Sequence, residues 1–219
     1  MDRRSPSMAR KAATATRTTG AARARPRAKA ADPDNTRTAI LDAALDLFVE
    51  RGFHGTAVPL VAERAGIAAG TIYRHFESKE ALVNALYRGW KERITGEVLR
   101  DFPLDASPRD QFHAAWIGVT AFVAEHPRAY AFLELHHHAP YLDDESRAVE
   151  RRTYDFAAIV IARGQASGVI RSGPAPVLLG LLHGAVVGLV RFWREGRVAW
   201  TPEALAFAEA ACWDLIRAS

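Results

Sequence analysis

Cysteine is nearly missing from this chain: Cys212 is the only one in 219 residues. A single thiol excludes an internal disulfide and a cysteine-rich zinc module, and it suits a reducing cytoplasm. Period-2 alternation of apolar and polar residues is missing too, which argues against a sheet. No nucleophile–base–orienter pattern, Walker loop or dinucleotide fingerprint occurs. No residue is therefore assigned to catalysis, and neither an enzyme nor a cofactor is expected. The N-terminal stretch lacks the apolar run of a signal peptide. Wholesale disorder is excluded by a 49% hydrophobic content, and the length allows one or two domains with a sizeable core.

Charge is present but unevenly placed. The chain carries a net +4 and a pI near 9.5. Residues 1–31 hold nine basic residues and one acid, a net of +8, so residues 32–219 carry −4. Large apolar side chains are almost absent from 1–31, so this stretch is expected to be a disordered basic tail. It reads as a solvated extension, as an arm for DNA phosphates or the minor groove, or as an Arg-rich transit peptide.

The rest reads as about nine helices. Leu41, Ala44, Leu45 and Phe48 recur on one helical face between Thr36 and Arg51, and Gly52 ends that helix. A short helix follows from about Val58 to Ala65, then a second from Ala69 to His75. Ser78 caps a longer one with Leu82, Ala85, Leu86 and Gly89 on one side. Further helices are expected from Ser107-Pro108 to Ala124, Pro127 to His138, Asp144 to Ala166, Pro174 or Pro176 to Arg194, and Pro202 to about Arg217.

Two short helices joined by a glycine turn form a helix-turn-helix unit, here VPLVAERAGIAAGTIYRHF. Leu60, Val61, Ala65, Ile67, Ile72 and Phe76 supply a small core against the preceding helix, and Gly66 permits the turn. The second helix then presents Ala69, Gly70, Thr71, Tyr73, Arg74 and His75 to base edges and phosphates. Its N-terminus favours an anion, and Lys79 is placed for a further phosphate. Residues 32–100 nevertheless sum to −1, so a locally basic face would need Arg51, Arg64, Arg74 and Lys79 to cluster.

Residues 36–90 resemble the DNA-binding domain of the TetR/AcrR transcriptional regulators, through ILDAAL, LFVERGF, the Gly55-Thr56 pair, VAERAG, GTIYRHF and SKEAL in order. The resemblance implies an all-helical homodimer that binds a palindromic double-stranded DNA operator through its first three helices. It also implies a small-molecule effector sensed by the C-terminal domain, and it adds Thr56 to the DNA-contacting set. Two positions depart from the family pattern: Ala57 stands where a polar cap is usual, and Ala68-Ala69 replace the usual Ser-Lys or Ser-Arg opening. Base reading is expected to lean on Thr71, Tyr73, Arg74 and His75.

In the C-terminal half, residues 173–190 carry no formal charge and reach the length of a membrane span. His183 at the centre and two prolines at the start argue for a soluble helix instead. Gly180, Gly184 and Gly188 form a stripe of small residues for a close helix partner, which with Phe192 and Trp213 is the expected dimer interface. His136, His137 and His138 are consecutive, so few of them can share a metal, and no metal is expected. His113, Trp116, Phe132, His136, Tyr154 and His183 are the expected effector-pocket residues.

The expectation is therefore an all-α protein with a disordered tail over 1–31, a helix-turn-helix domain over 32–90 and an effector and dimerisation domain over 91–219. Its function would be that of a cytoplasmic, ligand-responsive regulator, a repressor by preference, with no membrane partner. The alternatives are an effector-independent architectural DNA-binding factor, or a helical metal-binding protein or enzyme.

Overall fold

A computed structural model describes residues 33–219. The basic tail expected over 1–31 lies outside the described residues. Within them there are nine α-helices and one isolated antiparallel bridge, Ile170 with Arg217.

α1 spans Pro33–Gly55 and is bent at Gly52, whose φ of 68° is non-helical. The sequence places the helix end at this glycine; the chain instead turns there and adds three more helical residues. α2 (Val58–Arg64) and α3 (Ala69–His75) follow. Between them Gly66 takes φ 69°, a conformation that costs a side-chain-bearing residue but not glycine. α4 (Lys79–Leu99) is capped by the Ser78 side chain, which accepts from the Ala81 N–H. It runs through residue 90 unbroken, so the expected domain boundary falls inside one rigid helix. Gly89, expected on its packed side, is exposed.

α5 (Pro108–Glu125), α7 (Asp144–Ala166) and α9 (Pro202–Ile216) begin at Ser107, Asp143 and Thr201, each of which accepts a backbone N–H three residues on. α6 (Pro127–Leu135) is shorter than expected. It stops because His136 is extended, and His138 turns into the core with Nε2 2.5 Å from the Phe132 carbonyl. A carbonyl only accepts, so Nε2 carries the proton. The three histidines therefore do not share a helix.

α8 (Ala175–Arg194) is long and apolar enough to cross a membrane by length and composition alone. Here it packs on α6, α7 and α9 as a wall of the helical body.

One continuous core joins the helix-turn-helix to the C-terminal helices. Ile40, Leu47 and Phe48 of α1 meet Val61, Ile72, Leu82 and, from α6, Phe132. Phe48 and Phe132 stack with ring centroids 6.1 Å apart. A second cluster lies at the far end around Ile161, Ile170, Leu178 and Ile216. Gly164 belongs there for want of room: a Cβ would come 2.5 Å from Ile170 Cδ1.

Candidate functional sites

The helix-turn-helix surface is built from the inside out. Ile72 and Phe76 bury one side of α3, which turns Ala69, Gly70, Tyr73 and Arg74 to solvent and leaves Thr71 and His75 half-buried. Tyr73 is 56% exposed, a costly placement for an aromatic with no surface to cover. Arg74 has no ion-pair partner among the described residues. Neither Ala57 nor Ala68 makes a side-chain cap, so the N–H groups opening α2 and α3 receive none.

Thr56 corrects the sequence reading. It is completely buried, and its hydroxyl sits 2.8 Å from the Gly52 carbonyl and 3.1 Å from that of Leu47. It fastens the bend of α1 and presents no side chain to DNA. Lys79 serves the same turn. Its Nζ donates to the carbonyls of Phe53 and Thr56 at 2.9 and 3.1 Å and rests 4.0 Å above the Phe53 ring. An ammonium has three donors, so one remains for an outside acceptor.

The expected basic cluster does not form around Arg64. That guanidinium pairs with Glu50 at 3.1 Å and Asp46 at 3.7 Å, and the same carboxylates hold Arg128 of α6. These pairs tie α2 and α6 to α1.

α4 carries the frame onward. Asn84, buried, donates to the Tyr141 carbonyl at 2.7 Å and accepts from the Asp143 N–H and the Ser146 hydroxyl. One turn later Arg88 pairs with Asp143 at 2.8 Å. The start of α7 is thereby fixed to the first half of α4.

Beyond Arg88, α4 lines a half-open cavity of about 670 Å³ among α4 to α8, with Ile216 of α9 also in its wall. Trp116, Tyr154 and His183 line it as expected; His113, Phe132 and His136 do not. His113 points to α9, where it bonds the Glu209 carboxylate at 2.9 Å beside Arg109. Phe132 is sealed in the core on Phe48, and His136 ends α6. Another histidine near this region, His126, brings Nε2 3.7 Å from Glu97, with Glu125 alongside.

The cavity contains polar residues that sequence reasoning missed. Lys91, buried, and Glu134, largely buried, are an ion pair at 2.6 Å, and His183 Nε2 lies 3.0 Å from the other Glu134 oxygen. The Tyr154 hydroxyl is 2.9 Å from His183 Nδ1. Burial pushes the Glu134 carboxyl up, but the bonds from His183 and Lys91 outweigh it and hold the group at about 2. Burial and the nearby Glu134 charge push Tyr154 up to about 12. A charged residue at a position that continues an apolar helical stripe was the signal: Lys91 stands four residues after Tyr87, and Glu134 four after Tyr130.

Several large apolar side chains are exposed on the last two helices. Val177, Leu181 and Phe192 of α8 are 56%, 50% and 42% exposed, and Phe207 of α9 is 78% exposed. A Cβ added at Gly180, Gly184 or Gly188 would meet nothing within 4 Å. Trp213 does not share this face. It turns inward, 5.5 Å from the Phe112 ring, with Arg109 over it.

Known proteins match in two segments. The family model for tetR-family bacterial regulatory proteins covers residues 40–86, and the tetracyclin repressor-like C-terminal domain covers 89–218. The HTH-type transcriptional repressor KstR2 of Rhodococcus jostii is 44% identical over 61 residues, 28% of this chain and 30% of that protein. KstR2 of Mycobacterium tuberculosis is 27% identical over 126 residues, 56% of this chain and 58% of that protein. The match thus spans less than two thirds of either relative's length. A tetR family transcription regulator from Shewanella sp. PV-4 superposes with a TM-score of 0.74 at 27% identity, covering 84% of this chain and 99% of that one. FadR of Bacillus subtilis, solved in complex with stearoyl-CoA, shares the fold at 19% identity with a TM-score of 0.65, over 82% and 97% of the two chains. The chain belongs to the TetR family and is a DNA-binding transcriptional regulator.

Proposed function

We propose that the protein is a cytoplasmic, ligand-responsive repressor that binds a palindromic operator as a homodimer. The observation that carries this is α4. It is one unbroken helix whose first residue, Lys79, holds the turn between α1 and α2 that leads into the helix-turn-helix, and whose second half lines the cavity from Lys91 to Leu99. Lys79 and Lys91 are about 18 Å apart at 1.5 Å per residue. A ligand that moves Lys91, Thr95 or Leu99 shifts the α1–α2 turn and, through α2, the recognition helix packed on it.

In this reading Tyr73, Arg74, Thr71 and His75 read base edges. Ala69 and Gly70 let the backbone approach a phosphate, and the third Lys79 donor reaches another. The exposed faces of α8 and α9 pair with their own copy about a two-fold axis, which covers Val177, Leu181, Phe192 and Phe207 and uses the room at Gly180, Gly184 and Gly188. Two recognition helices then enter successive major grooves about 34–36 Å apart. An effector that binds the other dimer geometry more tightly releases the DNA, and only by that difference in affinity. FadR of Bacillus subtilis, of the same fold, was solved in complex with stearoyl-CoA, which is in keeping with a ligand-responsive reading.

Footprinting on the DNA flanking the protein's own gene tests this. Two protected half-sites related by a dyad are expected, and protection is lost when a cavity ligand is added. Absence of protection on any inverted repeat there contradicts the proposal.

A further inference from the structure

The cavity has two unlike ends. Its lining on α4 runs from Lys91 to Leu99, about 12 Å along the helix axis. At the Lys91 end stand Tyr130, Glu134, Tyr154 and His183. At the other end are Phe102, Phe112, Ile161, Ile170 and Ile216, several of which belong to the second core cluster. A ligand that fills the length meets polar atoms at one pole and hydrocarbon at the other.

The polar end is closed on itself except at one point. Lys91, Glu134, His183 and Tyr154 form a chain of contacts at 2.6, 3.0 and 2.9 Å. Tyr130 stands outside it. Its side chain is 4% exposed, it lines the cavity beside Glu134 and Tyr154, and its hydroxyl makes no hydrogen bond with any described residue. The hydroxyl opens onto the cavity and is free to donate, so a cavity occupant with an acceptor oxygen there gains a hydrogen bond that an occupant without one does not.

Charge decides which oxygen. Glu134 is ionised and Lys91 is already paired with it. A carboxylate head brought to this pole would set a second anion beside Glu134, whose Lys91 counter-charge is already engaged. An uncharged oxygen incurs no such repulsion and still accepts from Tyr130.

We propose that the cavity takes an uncharged amphiphile: an apolar chain or ring body with a single hydroxyl or carbonyl oxygen seated against Tyr130. The volume suits a body of drug size. This inference rests on the reading of the cavity as the effector site. The competing arrangement is an anionic amphiphile with its head on Arg152, which is exposed, lines the cavity and has no ion pair among the described residues.

Calorimetric titration of the full chain near pH 7 with matched probes, 1-dodecanol and dodecanoate, separates these. The alcohol is expected to bind at least about tenfold more tightly than the acid, a ratio read on the unaltered protein. Tyr130→Phe is expected to weaken the alcohol about tenfold and to leave the acid unchanged. Ile161→Trp, which fills the hydrocarbon end, is expected to abolish both. Dodecanoate binding as tightly as the alcohol and depending on Arg152, or an alcohol affinity that Tyr130→Phe does not move, overturns the head assignment and leaves the effector reading standing. Failure of the unaltered protein to bind either probe overturns both.

Discussion

At the scale of single residues, the side chains proposed to read DNA are exposed or half-buried on α3, whereas Thr56 and Lys79 bond the turn that precedes α2. Tyr73 and Arg74 are exposed and have no structural duty, so Tyr73→Ala or Arg74→Ala should weaken operator binding about fivefold to a hundredfold without changing the thermal melt. Gel-shift titration beside a melting curve checks both halves of that statement. Thr56→Val should do the reverse, lowering stability by about 1–2 kcal/mol in urea because the hydroxyl bonds to Leu47 and Gly52 are lost. Thr56 was misread because a sequence does not show whether a hydroxyl beside a glycine turns outward or folds back onto a carbonyl nine residues earlier. His113 was misplaced for a reason the sequence does contain. It follows Phe112 directly, about 100° around the helix from the Phe112–Trp116 stripe, and so faces α9 instead of the cavity.

Glu134 gives the residue scale a pH signature. Its carboxyl is held at about 2, below the unfolded value of about 4. Stability from its bonds is therefore fully present above pH about 4 and is lost as pH falls through about 2. Glu134→Gln leaves Lys91 buried without its counter-charge, which should cost about 3–5 kcal/mol at neutral pH. The gap to the unaltered protein should close below pH about 2 in acid-unfolding curves; a gap that is constant with pH would show that the pair is not what stabilises this end.

At the scale of elements, helix starts were legible and one helix end was not. Ser78, Ser107 and Thr201 cap as their positions predict, because a small hydroxyl before a helical stripe has one favourable use. The end of α6 was not legible. Nothing in HHHAP shows that His138 finds the Phe132 carbonyl and pulls the chain out of the helix at His136. The missing caps of α2 and α3 suggest a gain. Ala68 already has cap-compatible backbone angles of −70° and 140°, so Ala68→Ser should add about 0.5–2 kcal/mol and slow amide exchange in α3. An unchanged exchange rate there would mean that water caps the helix equally well.

At the scale of the whole molecule, the all-helical plan and the helix-turn-helix were readable because periodicity and glycine placement act locally. The cavity was readable only in part, since six helices build it. His183 keeps step with Leu179, Leu182 and Val186 on one face of α8, whereas Phe132 was diverted into the core shared with α1. In the proposed dimer a second copy covers the apolar faces of α8 and α9. Leu181→Asp should be tolerated by the single chain, where Leu181 is 50% exposed, yet should shift the protein to monomer in sedimentation at micromolar concentration. An unchanged sedimentation coefficient would place the interface elsewhere.

The central claim is that two copies of α3, held by paired subunits, read one symmetric DNA site. Selection of bound duplexes from a random pool tests it most directly. The account predicts an inverted repeat with half-site centres about one helical turn apart, or a multiple of it, lost on Arg74→Ala. Enrichment of no sequence, or of a single asymmetric site that Arg74→Ala still selects, would contradict it.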